Sequence, residues 1–213
     1  MVDKMREDNW FDAEYFGHAP NMGGEPKSNY GRLTGGYHSG LAAPVQFVDW
    51  IIDQLGSTEI TVDDDEGEST RPLRILEIGC AFGDAVAEMR RRGLEAYGID
   101  VSPYALENIV QNAVDFVGYG SMTDIESSEL VIQNQPFDAV VSKDVLEHAT
   151  PNLINKILIS FGAIAPKQLH VVNTGEHDYQ AAGGDQSHFC IKPLSWWNQR
   201  AKKLKLDVIF KET

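Results

Sequence analysis

A short apolar run that ends in a glycine-rich turn and opens directly into a helix limits this chain more than any other feature. Ile75-Leu76-Glu77-Ile78 is followed by Gly79-Cys80-Ala81-Phe82-Gly83-Asp84, and a helical pattern continues to Arg92 before Gly93 stops it. Three arginines at the carboxyl end of that stretch complement the helix dipole, and Asp84 is expected to cap its start. Further apolar runs follow at Ala96 to Ile99, Phe137 to Val141, Leu169 to Val172 and Leu206 to Phe210, with a weaker one through Asp115 to Gly120. Helical patterns alternate with them, opened by Ser102-Pro103, by Thr150-Pro151 and by Pro193. That rhythm predicts an α/β fold with a doubly wound, mostly parallel sheet and helices on both faces.

At 213 residues the chain suits one domain. We divide it into an N-terminal arm or lid at 1-41, a covering helix at 42-56, an acidic loop at 57-71 and the α/β core at 72-213. Val45, Val48, Ile51, Ile52 and Leu55 recur at helical spacing in the second of these. Val62 to Thr70 carries a run of like charges and is expected to be a mobile surface loop.

Charge narrows the choice of partner. Lys and Arg total 18 against 32 Asp and Glu, a formal net charge of -14, which disfavours nucleic acid and anionic membrane surfaces. No apolar stretch is long enough for a spanning helix or the core of a signal peptide. Cys80 and Cys190 are the only cysteines, too few for a disulfide scaffold, and a reducing cytoplasmic setting is expected. No ligand set with metal spacing is visible, so no metal is assigned.

In open α/β sheets the ligand sits at the carboxyl ends of the strands, which directs attention to the glycine turn. A dinucleotide fingerprint would place glycines at 79, 81 and 84, whereas this chain has Ala81 and Asp84. A carboxylate at that helix start repels a pyrophosphate. A nucleoside cofactor without phosphates but with a positive charge tolerates Asp84 and profits from Glu77, and S-adenosylmethionine is such a molecule. Asp100 ends the second core strand 21 residues after Gly79, where two carboxylate oxygens can accept the hydroxyls of a ribose.

Three blocks together resemble the class I S-adenosylmethionine-dependent methyltransferases. They are Leu76 to Gly83, Tyr97-Gly98-Ile99-Asp100-Val101-Ser102, and Phe137 to His148 ending in Lys143-Asp144-Val145-Leu146-Glu147-His148. A fourth block, Asp185-Gln186-Ser187-His188, is similar to a tail of bacterial methyltransferases encoded among biosynthetic genes. The resemblance implies that Glu77, Gly79, Cys80, Ala81 and Gly83 frame the methionyl end of the cofactor. Asp100 would hold the ribose, Val101 would pack on the adenine, and Ser142 to Asp144 would close the methionine side. Ser121 and Met122 stand where the family often has an acidic residue facing the adenine amino group. The family pattern also implies a closing antiparallel strand pair, and no seventh strand is legible here.

Other residues admit two readings. His148 and His188 are candidate bases for an acceptor that must lose a proton, with Asp185 orienting His188, or they are structural hydrogen-bonding groups of their loops. Tyr30 and Tyr37, with Arg32, belong either to a lid gripping the cofactor or to an irregular arm with aromatic anchors. Cys80 is either part of the cofactor turn or a buried thiol. Of Trp196 and Trp197, one is expected in the core and one at the surface. The expected activity is methyl transfer from S-adenosylmethionine, with S-adenosylhomocysteine as product, to an oxygen, nitrogen or carbon of a small molecule, in biosynthetic tailoring. The alternatives are a non-catalytic relative that keeps the cofactor or a partner subunit, and a nicotinamide-dependent oxidoreductase.

Overall fold

The glycine turn is reached from a strand that is buried along all but its first residue. In the computed structural model, which describes residues 10–16, 42–64, 67–175 and 187–213, that strand is β3 (Arg74–Ile78). Ile75 and Leu76 are fully buried on its opposite faces, so the run reads as continuously apolar because helices cover both sides.

Six strands form one sheet: β3, β4 (Glu95–Asp100), β5 (Val117–Tyr119), β6 (Ala139–Lys143), β7 (Lys167–Val172) and β8 (Asp207–Glu212). Their order is β5-β4-β3-β6-β7-β8 and every pairing is parallel. The order reverses between β3 and β6, which opens a crevice at the carboxyl ends of those two strands. The doubly wound expectation holds.

One face of the sheet is covered by α1 (Ala42–Leu55) and α2 (Asp84–Arg91). Phe47, Val48 and Ile51 of α1 pack there with Ala85, Val86 and Met89 of α2. The other face is covered by α4 (Glu129–Asn134), α5 (Ile154–Ile164) and α6 (Leu194–Leu204). Phe161 and Trp197 anchor that side, and both are fully buried. Trp196 is only half-buried and lies beneath the Arg200 guanidinium, 4.3 Å from the ring centre. A short α3 (Pro103–Glu107) is capped by Ser102, whose hydroxyl accepts the Ala105 amide at 3.0 Å.

The structure departs from the expectations at four places. Residues expected as an acidic loop form a hairpin, β1 (Glu59–Asp64) and β2 (Gly67–Pro72), paired antiparallel from Glu59 opposite Pro72 to Asp64 opposite Gly67. Ile60, Thr61, Val62 and Thr70 favour extended backbone, while the side chains of Glu59, Asp63 and Glu68 stay in solvent. Arg71 then fastens the hairpin to the sheet through a bidentate pair with Asp138, at 2.7 and 2.9 Å.

The second departure is the start of α2. Its cap is Gly83 in the left-handed region at φ 79°, and Asp84 is the first helical residue, with no side-chain cap bond at Gly83. The third is α5, which begins at Ile154 after a turn over 151–153 rather than at Pro151. The fourth is the closing strand pair. β8 returns from α6 and pairs parallel with β7, and the sheet among the described residues has no antiparallel member. A strand reached through a crossover helix enters the sheet parallel.

Candidate active site at the strand ends

Backbone geometry shapes the turn before any side chain does. Gly79 and Cys80 both donate to the Ile99 carbonyl, at 2.8 and 3.2 Å, which holds the turn against the end of β4. Gly79 lies at φ 67° and Ala81 at φ 48°, so with Gly83 three residues of the turn are left-handed. A Cβ at position 79 would come within 2.5 Å of Val145. That clearance lets the loop after β6 lie directly against the turn.

Asp100 fixes the turn from the other side. Its Oδ2 accepts the Ala81 amide at 2.7 Å and its Oδ1 accepts the Ser102 amide at 2.8 Å. Burial raises its pKa, opposed by the bonds from Ser102, Ala81 and Val101. Each oxygen of this carboxylate is therefore engaged by backbone, and each has a second lone pair for a ligand hydroxyl.

Glu77 is the second acid. It is 5% exposed, and its Oε2 is buried with no hydrogen-bond partner. Burial, with the nearby Asp100 and Asp84 carboxylates, pushes its carboxyl up to about 8 against the attraction of Lys143. A buried carboxyl without a partner is costly and is relieved by a cationic or hydrogen-bond-donating ligand.

The turn and Asp100 border a cavity of about 100 Å³. Ile78, Gly79 and Ala81 of the turn, and Asp100 and Val101 at the end of β4, form one part of its wall. Gly120 and Met122 follow β5, and Lys143, Asp144, Val145 and His148 follow β6. Phe11, Tyr15 and Phe16 complete it from the N-terminal segment. That segment is tied down by the Ser102 hydroxyl, which donates to the Phe11 carbonyl, and by Phe16, which packs on Phe82 at 4.8 Å.

Beyond β6 the residues 147 and 148 hold the chain on either side of the segment 174–186. The Glu147 carboxylate accepts the Asn173 amide at 3.0 Å, and the Glu147 carbonyl accepts the amides of Phe189 and Cys190 at 2.8 and 2.9 Å. His148 Nδ1 is hydrogen-bonded to the Ser187 hydroxyl at 2.8 Å. Its ring meets that of His188 at 4.8 Å and the edge of Phe11 at 5.5 Å. Burial, with the Asp144 carboxylate, raises the Glu147 carboxyl to about 8 against the Asn173 amide and Lys143.

Of the residues singled out from sequence, the structure brings Gly79, Ala81, Asp100, Val101, Met122 and His148 to one cavity. Glu77 stands behind the turn, and His188 reaches the cavity wall through His148. Gly83 packs against Ala113 beneath α2. Cys80, Ser121 and Ser142 point elsewhere. The Cys80 thiol faces the sheet core, where a Cβ at Gly98 would meet its sulfur at 2.7 Å, and burial raises its pKa well above the usual thiol range. The Ser121 hydroxyl bonds Thr123 within its own turn at 2.9 Å. Ser142 bonds Nδ1 of the buried His170 at 2.8 Å, on the far side of β6 from the cavity. Tyr30, Arg32, Tyr37 and Asp185 lie outside the described residues.

Sequence reasoning missed Phe11, Tyr15 and Phe16. Their signal was present as aromatic residues at i, i+4 and i+5 in an otherwise charged N-terminus.

Comparison with known proteins bears directly on this crevice. A family model described as a methyltransferase domain matches residues 76–163, the segment from the glycine turn through α5. A ubiquinone biosynthesis O-methyltransferase of Alkalilimnicola ehrlichii is 38% identical over 76 residues. Residues 76–163 are thus similar to a methyltransferase domain. The match to that relative covers 35% of this chain and 31% of the relative, so it spans under a third of the relative's own length. Among solved structures, a small RNA methyltransferase aligns over 75% of this chain and 21% of its own, with 17% identity and a TM-score of 0.53. Magnesium protoporphyrin IX methyltransferase of Synechocystis aligns over 59% and 51% of the two chains, with 16% identity and a TM-score of 0.43. The matched segment covers the part of the fold that carries the turn, Asp100 and the loop to His148.

Proposed function

We propose that this chain is an S-adenosylmethionine-dependent methyltransferase acting on a small molecule. The observation that carries the reading is the buried, unpartnered Glu77 oxygen behind a turn whose left-handed backbone is bonded to Asp100. A cationic nucleoside fits that donor set, and the same three acids, Glu77, Asp84 and Asp100, oppose a pyrophosphate. When bound, S-adenosylmethionine supplies an electrophilic sulfonium methyl group.

The protein's own residues then have limited work to do. Asp100 accepts from the ribose hydroxyls, Val101 and Met122 offer apolar surface to the base, and Glu77 offsets the positive charge. Phe11, Tyr15 and Phe16 exclude water from the reacting atoms. Gly79 permits the close approach of Val145 that brings the β6 loop to the same cavity.

A small acceptor, rather than nucleic acid, accords with the charge of -14. A biosynthetic role is supported by the similarity to a ubiquinone biosynthesis O-methyltransferase. Cys80 and Cys190 are separate buried thiols, consistent with a cytoplasmic setting, and no described helix is long and apolar enough to cross a membrane.

Calorimetric titration with S-adenosylhomocysteine, and with NAD in parallel, tests the cofactor. Binding of the former alone is the expected result. Binding of NAD alone, or of neither, overturns it.

A further inference from the structure

Both edges of the central sheet are open among the described residues, but they are not alike. β5 is only three residues long, and Gly120 follows it directly. β8 pairs with β7 over all six of its residues, from Asp207 opposite Lys167 to Glu212 opposite Val172, and contains no proline. A regular edge strand of this kind is a template for another strand, and folded proteins blunt such an edge or cover it.

The last bond of β8 identifies which of its backbone groups face outward. Thr213 donates its amide to the Val172 carbonyl at 3.2 Å, so position 213 faces β7. Successive residues of a strand turn their backbone groups to opposite sides, and Ile209 and Lys211 therefore face β7 as well. Val208, Phe210 and Glu212 direct their N–H and C=O groups away from the sheet. We propose that a second copy of this chain pairs antiparallel with β8 across a two-fold axis at Ile209, joining the two sheets edge to edge.

Backbone parity and charge select that register. In an antiparallel pair, residues opposite one another either both bond across the pair or both do not, so the axis must pass through a residue. With the axis at Val208, Lys211 falls opposite the partner's Lys205. With the axis at Phe210, Lys211 falls opposite the partner's Ile209 and Glu212 opposite the partner's Val208. At Ile209, Asp207 stands opposite the partner's Lys211, Val208 stands opposite the partner's Phe210, and the symmetry repeats both pairs. Val208 and Phe210 then exchange the backbone bonds. Asp207 and Lys211 are exposed and meet as a pair without backbone bonds, the kind in which Cα atoms approach to about 4.5 Å and side chains lie closest. Opposite charges at such a pair favour the register, and like charges oppose it.

Sedimentation velocity of the whole chain between about 1 and 200 µM tests the pairing, and a dimer with a dissociation constant on the order of 10 µM is expected of so short an edge. Lys211→Asp sets like charges opposite one another and should weaken the dimer about tenfold. Adding Asp207→Lys to it restores opposite charges and should return the affinity to within about threefold of the wild type. The single and the double variant both lose the Lys211 contact with Trp50, so the recovery reports the pair between copies alone. Val208→Pro deletes an outward amide donor and no bond to β7, and should abolish the dimer with unchanged far-ultraviolet circular dichroism.

Amide hydrogen exchange reads the register directly. The Val208 and Phe210 amides should be protected at the highest concentration and exchange freely at the lowest, while those of Ile209 and Lys211 are protected at both. A chain that stays monomeric throughout overturns the proposal, as does a dimer that the paired charge exchange fails to restore or that is indifferent to all these substitutions. Protection of Val208 and Phe210 that does not depend on concentration overturns it too, because another segment of the same chain then covers the edge.

Discussion

The amide of Ala81 donates to Asp100 at 2.7 Å, so the first turn of the sheet is bonded to the end of its neighbouring strand. The carboxylate thereby does two things at once: it holds the left-handed turn and presents its remaining lone pairs to the cavity. Asp100→Ala should lose both. S-adenosylhomocysteine affinity measured by calorimetry is expected to fall by about 1.5–3 kcal/mol, the usual worth of hydrogen bonds to a charged group. Asp100→Asn should keep part of the affinity, because one amide oxygen can still accept.

Gly79 is the position where backbone and packing impose the same requirement. Gly79→Ala places a Cβ within 2.5 Å of Val145 and forces a left-handed φ on a residue with a side chain. The expected destabilisation is about 3 kcal/mol from the conformational and overpacking costs together. Denaturant unfolding checks it, and Val145→Ala added to Gly79→Ala should recover the overpacking share while leaving the conformational one.

Glu77 gives the apoprotein an unusual dependence on pH. Its folded pKa, about 8 because of burial and then the Asp100 and Asp84 carboxylates, lies above the unfolded value near 4.3. Between those values the folded chain holds more protons than the unfolded one, so stability falls as pH rises from about 4.3 towards 8. Thermal unfolding without ligand should show Glu77→Gln losing less stability than the wild type across that window. The same variant should bind S-adenosylhomocysteine more weakly at pH 8, because the charge that answers the ligand's ammonium group is gone.

Asp138 should behave in the opposite sense. Burial pushes its pKa up, but the Arg71 pair and the Arg74 amide outweigh that and leave it below the ordinary carboxylate range. Its contribution is full above the unfolded pKa of about 3.9 and is lost as pH falls through the lower folded value. Arg71→Ala should lower stability at neutral pH and flatten part of its decline below about pH 4, while leaving the slope between pH 6 and 8 unchanged, as followed by thermal unfolding at each pH.

How much of this was legible in the chain depends on the range of the interaction involved. The alternation of apolar runs with helical periods is a local property, and it determined the parallel sheet, the helices on both faces and the position of the glycine turn. Asp100 was readable for the same reason, since a strand end a fixed distance after the turn lies beside it in any βαβ unit. The hairpin at 59–72 was not, because charge density masked a β-branched alternation that pairs its strands and is secured by Arg71 reaching Asp138 across 67 residues.

Side-chain direction marked the other limit. Cys80 and Ser142 stand in the motif blocks, yet one faces the core beneath Gly98 and the other His170, because successive strand and turn residues point to opposite sides. The sequence by itself determined the architecture and the chemical class of its crevice, since both follow from local pattern and from residue types at fixed spacing. Only the tertiary structure decided that Phe11 and Tyr15 cover that crevice and that Ser187, rather than a residue near it in sequence, holds His148. Contacts between residues so far apart in the chain depend on how the whole sheet packs, and no local pattern encodes them.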